Sequence, residues 1–184
     1  MDQITILMAV YNPDKEWFKE QLSSLNQQTY PKVKLLICND ASPDISEKEL
    51  EEFINKYVDN IQWKLISNIE NKGSTKTFER LTLEADGDYF AYCDQDDIWM
   101  DDKVEKCVAY MNEKNIDLVV TDKQIIDEND NVTCSSVRKH SNKNYDNWNT
   151  YDDITKYNIF VTYAVGMSII MKASFAKKSL PFSK

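Results

Sequence analysis

Two carboxylates two positions apart, Asp94 and Asp96 in the run Asp94-Gln95-Asp96-Asp97, follow a short apolar stretch, Tyr89 to Cys93. Hard oxygen ligands so placed can hold Mg2+ or Mn2+ against a diphosphate. Spacing alone is weak support, because nineteen aspartates in 184 residues make about two Asp-x-Asp pairs by chance. Asp86-Gly87-Asp88 is such a pair and reads as a turn, with Gly87 stopping a helix. Asp94 and Asp96 differ in context, since Tyr89, Phe90, Tyr92 and Trp99 supply an apolar wall beside which crowded carboxylates repel and a cation would relieve them. The alternative is an acidic helix start, which suits Asp101 and Asp102 better. Asp40 either satisfies a turn or accepts a hydrogen bond from the imide N–H of a pyrimidine. Tyr11 either stacks on that base or packs. Asn71-Lys72-Gly73 either meets a phosphate through backbone N–H groups and the lysine charge or is an ordinary turn.

Several other chemistries are disfavoured. His140 is the only histidine, so paired-histidine catalysis and His-rich metal clusters are excluded. Asp127 to Asn131 imitates the start of a calcium loop, but Val132 stands at the sixth position and Arg138 at the twelfth. No Gly-x-Gly-x-x-Gly, Walker or Gly-x-Ser-x-Gly motif occurs. Cys38, Cys93, Cys107 and Cys134 lack paired metal spacing and read as structural thiols of a reducing compartment. A net charge of −9 without a basic patch argues against nucleic acid and against a polybasic membrane surface. The start of the chain lacks the pattern of a signal peptide, so secretion is not expected, and no apolar run is long enough to cross a bilayer.

The elements that must position these residues follow from hydrophobic periodicity. Ile4 to Val10 and Val33 to Cys38 read as buried strands, with Ile61 to Ser67, Tyr89 to Cys93 and Asp117 to Thr121 as further strands. Helical stripes lie between them: Phe18, Leu22 and Leu25; Leu50, Phe53, Ile54 and Tyr57; Phe78, Leu81 and Ala85; Val104, Cys107, Val108 and Met111. This alternation predicts an α/β domain, an open and mainly parallel sheet flanked by helices, with ligands beyond the carboxyl ends of the strands. Tyr11-Asn12, Asn39-Asp40, Asn71-Gly73 and Asp94-Asp96 should therefore converge on one rim. Later, Gln124 to Ile126 and Val132 to Cys134 suggest a hairpin, and Ser135 to Asp153 a long surface loop anchored by Trp148 and Tyr151. Gly166 to Met171 suggests a last strand, and Ala173 to Leu180 a short helix.

Taken together, Ala9-Val10-Tyr11-Asn12, Leu25-Asn26-Gln27-Gln28-Thr29-Tyr30, Ile37-Cys38-Asn39-Asp40-Ala41-Ser42, Asn71-Lys72-Gly73 and Asp94-Gln95-Asp96-Asp97-Ile98-Trp99 resemble family 2 glycosyltransferases. The likeness is to bacterial polysaccharide-building members, rhamnosyltransferase-like proteins included, and covers Ile4 to about Thr121. It implies the Rossmann-like nucleotide-diphospho-sugar transferase fold of GT-A type. It also implies inverting transfer from a UDP- or dTDP-sugar to a glycan or lipid-linked acceptor, with Mn2+ or Mg2+ neutralising the departing diphosphate. By position, Ala9, Tyr11 and Asp40 would contact the nucleoside, Asp94 the ribose or metal, and Asp96 the metal. Asn12, Lys72, Gly73, Lys76 and Gln95 are further donor-site candidates.

The resemblance divides the single domain of residues 1–184 into a nucleotide-sugar-binding part, 1–122, and the start of an acceptor-side part, 123–184. It places an Asp or Glu base on the acceptor side, expected beyond Lys184, so that the chain reads as the donor-binding part of a longer enzyme. Asp101 stands where relatives commonly have proline, and an arginine that contacts donor in some relatives has only Arg80 and Lys76 as neighbours of its position. The expected location is cytoplasmic, with contact at the inner face of the membrane left open. Two alternatives stay in play: a non-catalytic nucleotide-sugar-binding module, and a sugar nucleotidyltransferase, which Tyr11-Asn12-Pro13-Asp14 disfavours because that class carries a Gly-rich basic loop there.

Overall fold

The computed structural model describes residues 1–140 and 168–182. In chain order its elements are β1 (Ile4–Val10), α1 (Lys15–Asn26), β2 (Val33–Asn39), α2 (Glu47–Tyr57), β3 (Gln62–Ser67), α3 (Ser74–Glu84) and β4 (Tyr89–Cys93). Then come α4 (Lys103–Lys114), β5 (Leu118–Val120), β6 (Ile125–Ile126), β7 (Val132–Cys134), α5 (Val137–His140), β8 (Ile169–Lys172) and α6 (Ala173–Lys178).

A strand buried on both faces must be apolar at consecutive positions, and β1 shows why. Ile4, Ile6, Met8 and Val10 pack on one side with Phe18, Leu22 and Leu25 of α1, Leu50 and Ile54 of α2, and Val104, Val108 and Met111 of α4. Leu7 turns to the other side, where Leu36, Cys38, Phe90 and Tyr92 meet Leu81 of α3, Ala85 just beyond it, and Ala173 and Ala176 of α6. Helix starts are set locally: Asp14 accepts from the backbone N–H groups of Glu16 and Trp17, and Ser46 and Glu49 form a reciprocal capping box at α2.

Six strands form one sheet in the order β3-β2-β1-β4-β8-β5. β1 pairs in parallel with β2 and β4, and β2 with β3. The chain leaves β1 on one side for β2 and β3, then returns to its other side as β4. The crevice between the carboxyl ends of β1 and β4 is therefore the switch point at which open α/β sheets bind ligands.

The expected mainly parallel sheet flanked by helices is observed, and β8 supplies its antiparallel member. It runs between β4 and β5 and pairs with both in antiparallel fashion, with Ile170 completely buried. The hairpin forms as β6 and β7, whose turn is held by Asp127 Oδ1 accepting from the N–H groups of Asn129 and Asn131. The calcium-like run is thus a turn built on its first aspartate. Asp86-Gly87-Asp88 is also a turn: Gly87 has φ +126°, and a Cβ there would lie 3.0 Å from Thr5 Oγ1. The expected surface loop begins with one helical turn, α5, while its remainder with Trp148 and Tyr151 lies outside the described residues, as does Gly166.

Candidate functional site at the carboxyl rim

The loop after β1 turns at Asn12, which takes a left-handed backbone, φ +42°, tolerated by asparagine. The Asn12 amide braces this turn against the loop after β2. Its Nδ2 donates to Asp44 Oδ2 at 2.6 Å and its Oδ1 accepts from Asp44 N–H at 3.2 Å, while its own N–H reaches Ser42 Oγ at 3.0 Å. Asn39 shapes that second loop by accepting from both the N–H and the hydroxyl of Ser42.

Asp40 is 3 % exposed and organises the third loop. Oδ1 accepts from Lys72 N–H at 2.9 Å and Asn68 Nδ2 at 2.6 Å, and Oδ2 accepts from Gly73 N–H at 2.9 Å. Burial pushes the carboxyl up, but these bonds and one from Thr77 outweigh it and hold Asp40 below its ordinary value. These four bonds match the about four acceptor positions a carboxylate offers, so Asp40 is satisfied by the loops around it.

The fourth loop leaves β4 with Asp94 and Asp97 half-buried and Asp96 exposed. Burial and the charge of Asp96 raise the Asp94 carboxyl, against the pull of Lys123. Burial together with Asp94 and Asp96 pushes Asp97 up to about 6. Gln95 turns back to Tyr11, accepting from its N–H at 2.8 Å and donating to its carbonyl at 3.2 Å. Beneath the loop, α1 and the residues just after it supply buried polar side chains. Ser24 Oγ accepts from Trp99 N–H, and Gln28 accepts from Val104 N–H and donates to Met100 O. Lys103 stacks on Trp99, 3.6 Å from the ring centre.

These loops enclose a cleft of about 350 Å³ lined by Ala9, Val10, Tyr11, Asp40, Ser74, Phe78, Asp94, Gln95 and Asp96. Six of the sequence-derived candidates therefore meet in one place. Asn12, Lys72, Gly73 and Lys76 are not in its lining: Asn12 braces, Lys72 and Gly73 give their N–H groups to Asp40, the Lys72 ammonium pairs with Glu70, and Lys76 pairs with Glu79 at 2.6 Å. Arg80 is committed to Ser67 O, Asn68 and Glu84. Ser74 and Phe78 are additional lining residues; a helix opening at the carboxyl rim with positions i and i+4 on one stripe was the available signal. A second cavity of about 640 Å³, with Trp99, Met100, Lys123 and Ile126 in its wall, shares Asp96 with the first.

Among the described residues no three carboxylate, histidine or cysteine side chains gather closely enough to cage a metal ion. Asp94 and Asp96 nevertheless fit a divalent cation held partly by substrate, because such ions commonly take one or two carboxylates with phosphate oxygens and water completing the shell. Burial first, and the neighbouring carboxylates second, raise the Asp94 and Asp97 carboxyls, and a cation beside them would offset the second of these effects.

A crevice at the switch point of a mainly parallel sheet, lined by Tyr11, Asp40, Asp94 and Asp96, sits on a scaffold of GT-A type. The sequence profile described as "Glycosyl transferase family 2" matches residues 5–177, and the chain belongs to that family. It is 30 % identical over 126 residues, 68 % of the chain and 47 % of the relative, to the Escherichia coli UDP-Glc:alpha-D-GlcNAc-diphosphoundecaprenol beta-1,3-glucosyltransferase WfgD. Its fold resembles S. aureus TarS 1–349 in complex with UDP-GlcNAc, with a TM-score of 0.70 at 18 % identity over 96 % of this chain and 47 % of that one. It also resembles the Pyrobaculum calidifontis mannosyltransferase PcManGT in complex with GDP-Man and Mn2+, with a TM-score of 0.59 at 18 % identity, covering 70 % and 37 %. The chain spans about half the length of the curated relatives it matches.

Proposed function

We propose that this chain holds the donor half of a glycosyltransferase that moves a sugar, with inversion, from a UDP- or dTDP-sugar to a glycan or lipid-linked acceptor in cell-surface polysaccharide synthesis. The observation that carries this reading is that Asp96 lines both the smaller cleft and the larger cavity. The smaller cleft takes the nucleotide: Tyr11 stacks on the base, and Asp40, in the lining of the same cleft, accepts from its imide N–H by sharing an oxygen with one of the loop donors. Lys72 and Gly73 contribute through Asp40, which shapes their loop, and the Lys76 ammonium lies further out on α3. Asp94 and Asp96 hold Mn2+ or Mg2+, which when bound neutralises the leaving diphosphate. The acceptor enters from the larger cavity. Residues 1–122 form the donor part and the following residues belong to the acceptor part.

Within this arrangement, Asp94 approaches the ribose from the β4 side and Gln95 is a further donor contact in the lining of the cleft. The apolar faces of Ala9, Val10 and Phe78 exclude water from one side of the cleft, which strengthens polar contacts on the other. No helix among the described residues is long and apolar enough to cross a membrane. A cytoplasmic enzyme meeting its acceptor at the inner membrane face fits the lipid-linked acceptor named for WfgD.

Calorimetric titration of the 184-residue chain with UDP and dTDP, each with and without Mn2+, tests the reading, with GDP as control. Mn2+-dependent binding of one pyrimidine diphosphate is the expected result. Absence of binding by both overturns the donor-site assignment.

A further inference from the structure

The parallel ladder between β1 and β4 ends at Met8 opposite Cys93. Beyond it, β1 runs on to Val10 and the turn Tyr11-Asn12, while the other chain enters the acidic loop. Two walls of the cleft thus leave the sheet without a further ladder pair between them. One carries Tyr11, 46 % exposed, and the other Asp94 and Asp96.

Gln95 spans that gap. Its carboxamide uses its acceptor on the Tyr11 N–H and one donor on the Tyr11 carbonyl, at 2.8 and 3.2 Å. This is the donor-and-acceptor pattern a neighbouring strand would present to one residue, supplied here by a side chain. The bridge lies in the middle of a brace across the whole rim. On its far side Asn12 is tied by Ser42 and Asp44 to the loop after β2, which also carries Asp40.

We propose that Gln95 is a positioning residue that fixes the separation between the base-binding wall at Tyr11 and the diphosphate end at Asp94 and Asp96. This rests on the donor-site reading above and changes the role of Gln95 within it, from ligand contact to clamp. The chemistry restricts what can replace it. Methionine matches glutamine in length but has no donor and only a weak thioether acceptor. Glutamate accepts from the Tyr11 N–H but sets a carboxylate oxygen against the Tyr11 carbonyl, where glutamine donates. A ligand that must engage both walls at once depends on their spacing, and one that engages a single wall does not.

The test uses Gln95→Met and Gln95→Glu in the 184-residue chain, with UDP or dTDP, whichever the wild-type chain binds, and the corresponding nucleoside. Without ligand, exchange of the Tyr11 amide hydrogen should accelerate by about tenfold in Gln95→Met, as loss of one hydrogen bond at a half-exposed rim allows. Affinity for the diphosphate with Mn2+ should fall about tenfold or more in both variants, while the nucleoside loses less than about threefold. Retained diphosphate affinity in Gln95→Met overturns the clamp. So does retention in Gln95→Glu alone, which would identify Gln95 as an acceptor for a ligand hydroxyl, and so does an equal loss for nucleoside and diphosphate. Failure of the wild-type chain to bind either diphosphate is a different result and overturns the donor-site reading itself.

Discussion

Asp40 and Asp96 are both aspartates on the same rim, yet their surroundings give them opposite work. Asp40 is buried and surrounded by N–H donors, so it is first of all an architectural anion. Asn at this position would turn an amide donor or a weaker acceptor toward Lys72 N–H and Gly73 N–H. We expect Asp40→Asn to cost about 1–3 kcal/mol in thermal melts near neutral pH, as for a broken buried hydrogen-bond set. The pH dependence has a definite sign. A carboxyl held below its ordinary 3.8 stabilises the fold above that value, and the contribution disappears as pH falls through the lower folded-state value. The difference between wild type and Asp40→Asn should therefore shrink in melts taken below 3.8. Asp96 is exposed and makes no such framework. Asp96→Ala should leave the melting temperature within a few degrees while abolishing Mn2+-dependent nucleotide binding, read by calorimetry. Unchanged affinity would sink its assignment as metal ligand.

At the scale of elements, α1 is more than an amphipathic cover for the sheet. Its apolar residues Phe18, Leu22 and Leu25 follow the expected period, but Gln21 and Ser24 are buried as well, as is Gln28 just beyond its end. Ser24 and Gln28 replace the missing backbone partners of the loop between β4 and α4, and Thr29 N–H donates to Asp101 O. The end of α1 and the run that follows it to Tyr30 therefore hold the acidic loop from below. Gln28→Ala would leave Val104 N–H and Met100 O without these partners. We expect about 1–3 kcal/mol lower stability by urea denaturation with an unchanged m-value. A loss well under 1 kcal/mol would show that water replaces the glutamine. Periodicity exposed the helix itself, whereas the direction of its polar side chains could not be read, because a buried glutamine and an exposed one look alike along the chain.

At the scale of the whole molecule, the sheet is completed by β8, separated from its neighbour β5 by almost fifty positions in sequence. Its four residues close the gap between β4 and β5, and Ile170 takes part in the larger core. Ile170→Ala should cost about 2–4 kcal/mol in equilibrium unfolding, the range for deleting a fully buried aliphatic side chain. A loss below 1 kcal/mol would mean that β8 contributes little to the cooperative unit. The rim depends on the same closure indirectly, since β4, which launches the acidic loop, is paired on both sides only when β8 is in place.

The βαβ alternation, the helical stripes, the turn at Gly87 and the convergence of four loops on one rim were legible in the sequence. Each depends on local rules: side-chain period, the conformational freedom of glycine, or the link between parallel strands and their carboxyl-end loops. The antiparallel insertion of β8 was not, because strand direction and neighbour are set by long-range pairing that a four-residue apolar run does not encode. Nor was the division of labour at the rim. Sequence marked Asn12, Lys72, Gly73 and Gln95 by position, but only the fold shows that Asn12 and Gln95 hydrogen-bond to neighbouring loops, that the Lys72 and Gly73 N–H groups serve Asp40, and that Phe78 faces the cleft. Residue types and their spacing determined what chemistry could gather at the rim. Tertiary packing decided which side chains face the cleft and which hold it open, because a hydrogen-bond partner is chosen in three dimensions among groups the chain order keeps apart.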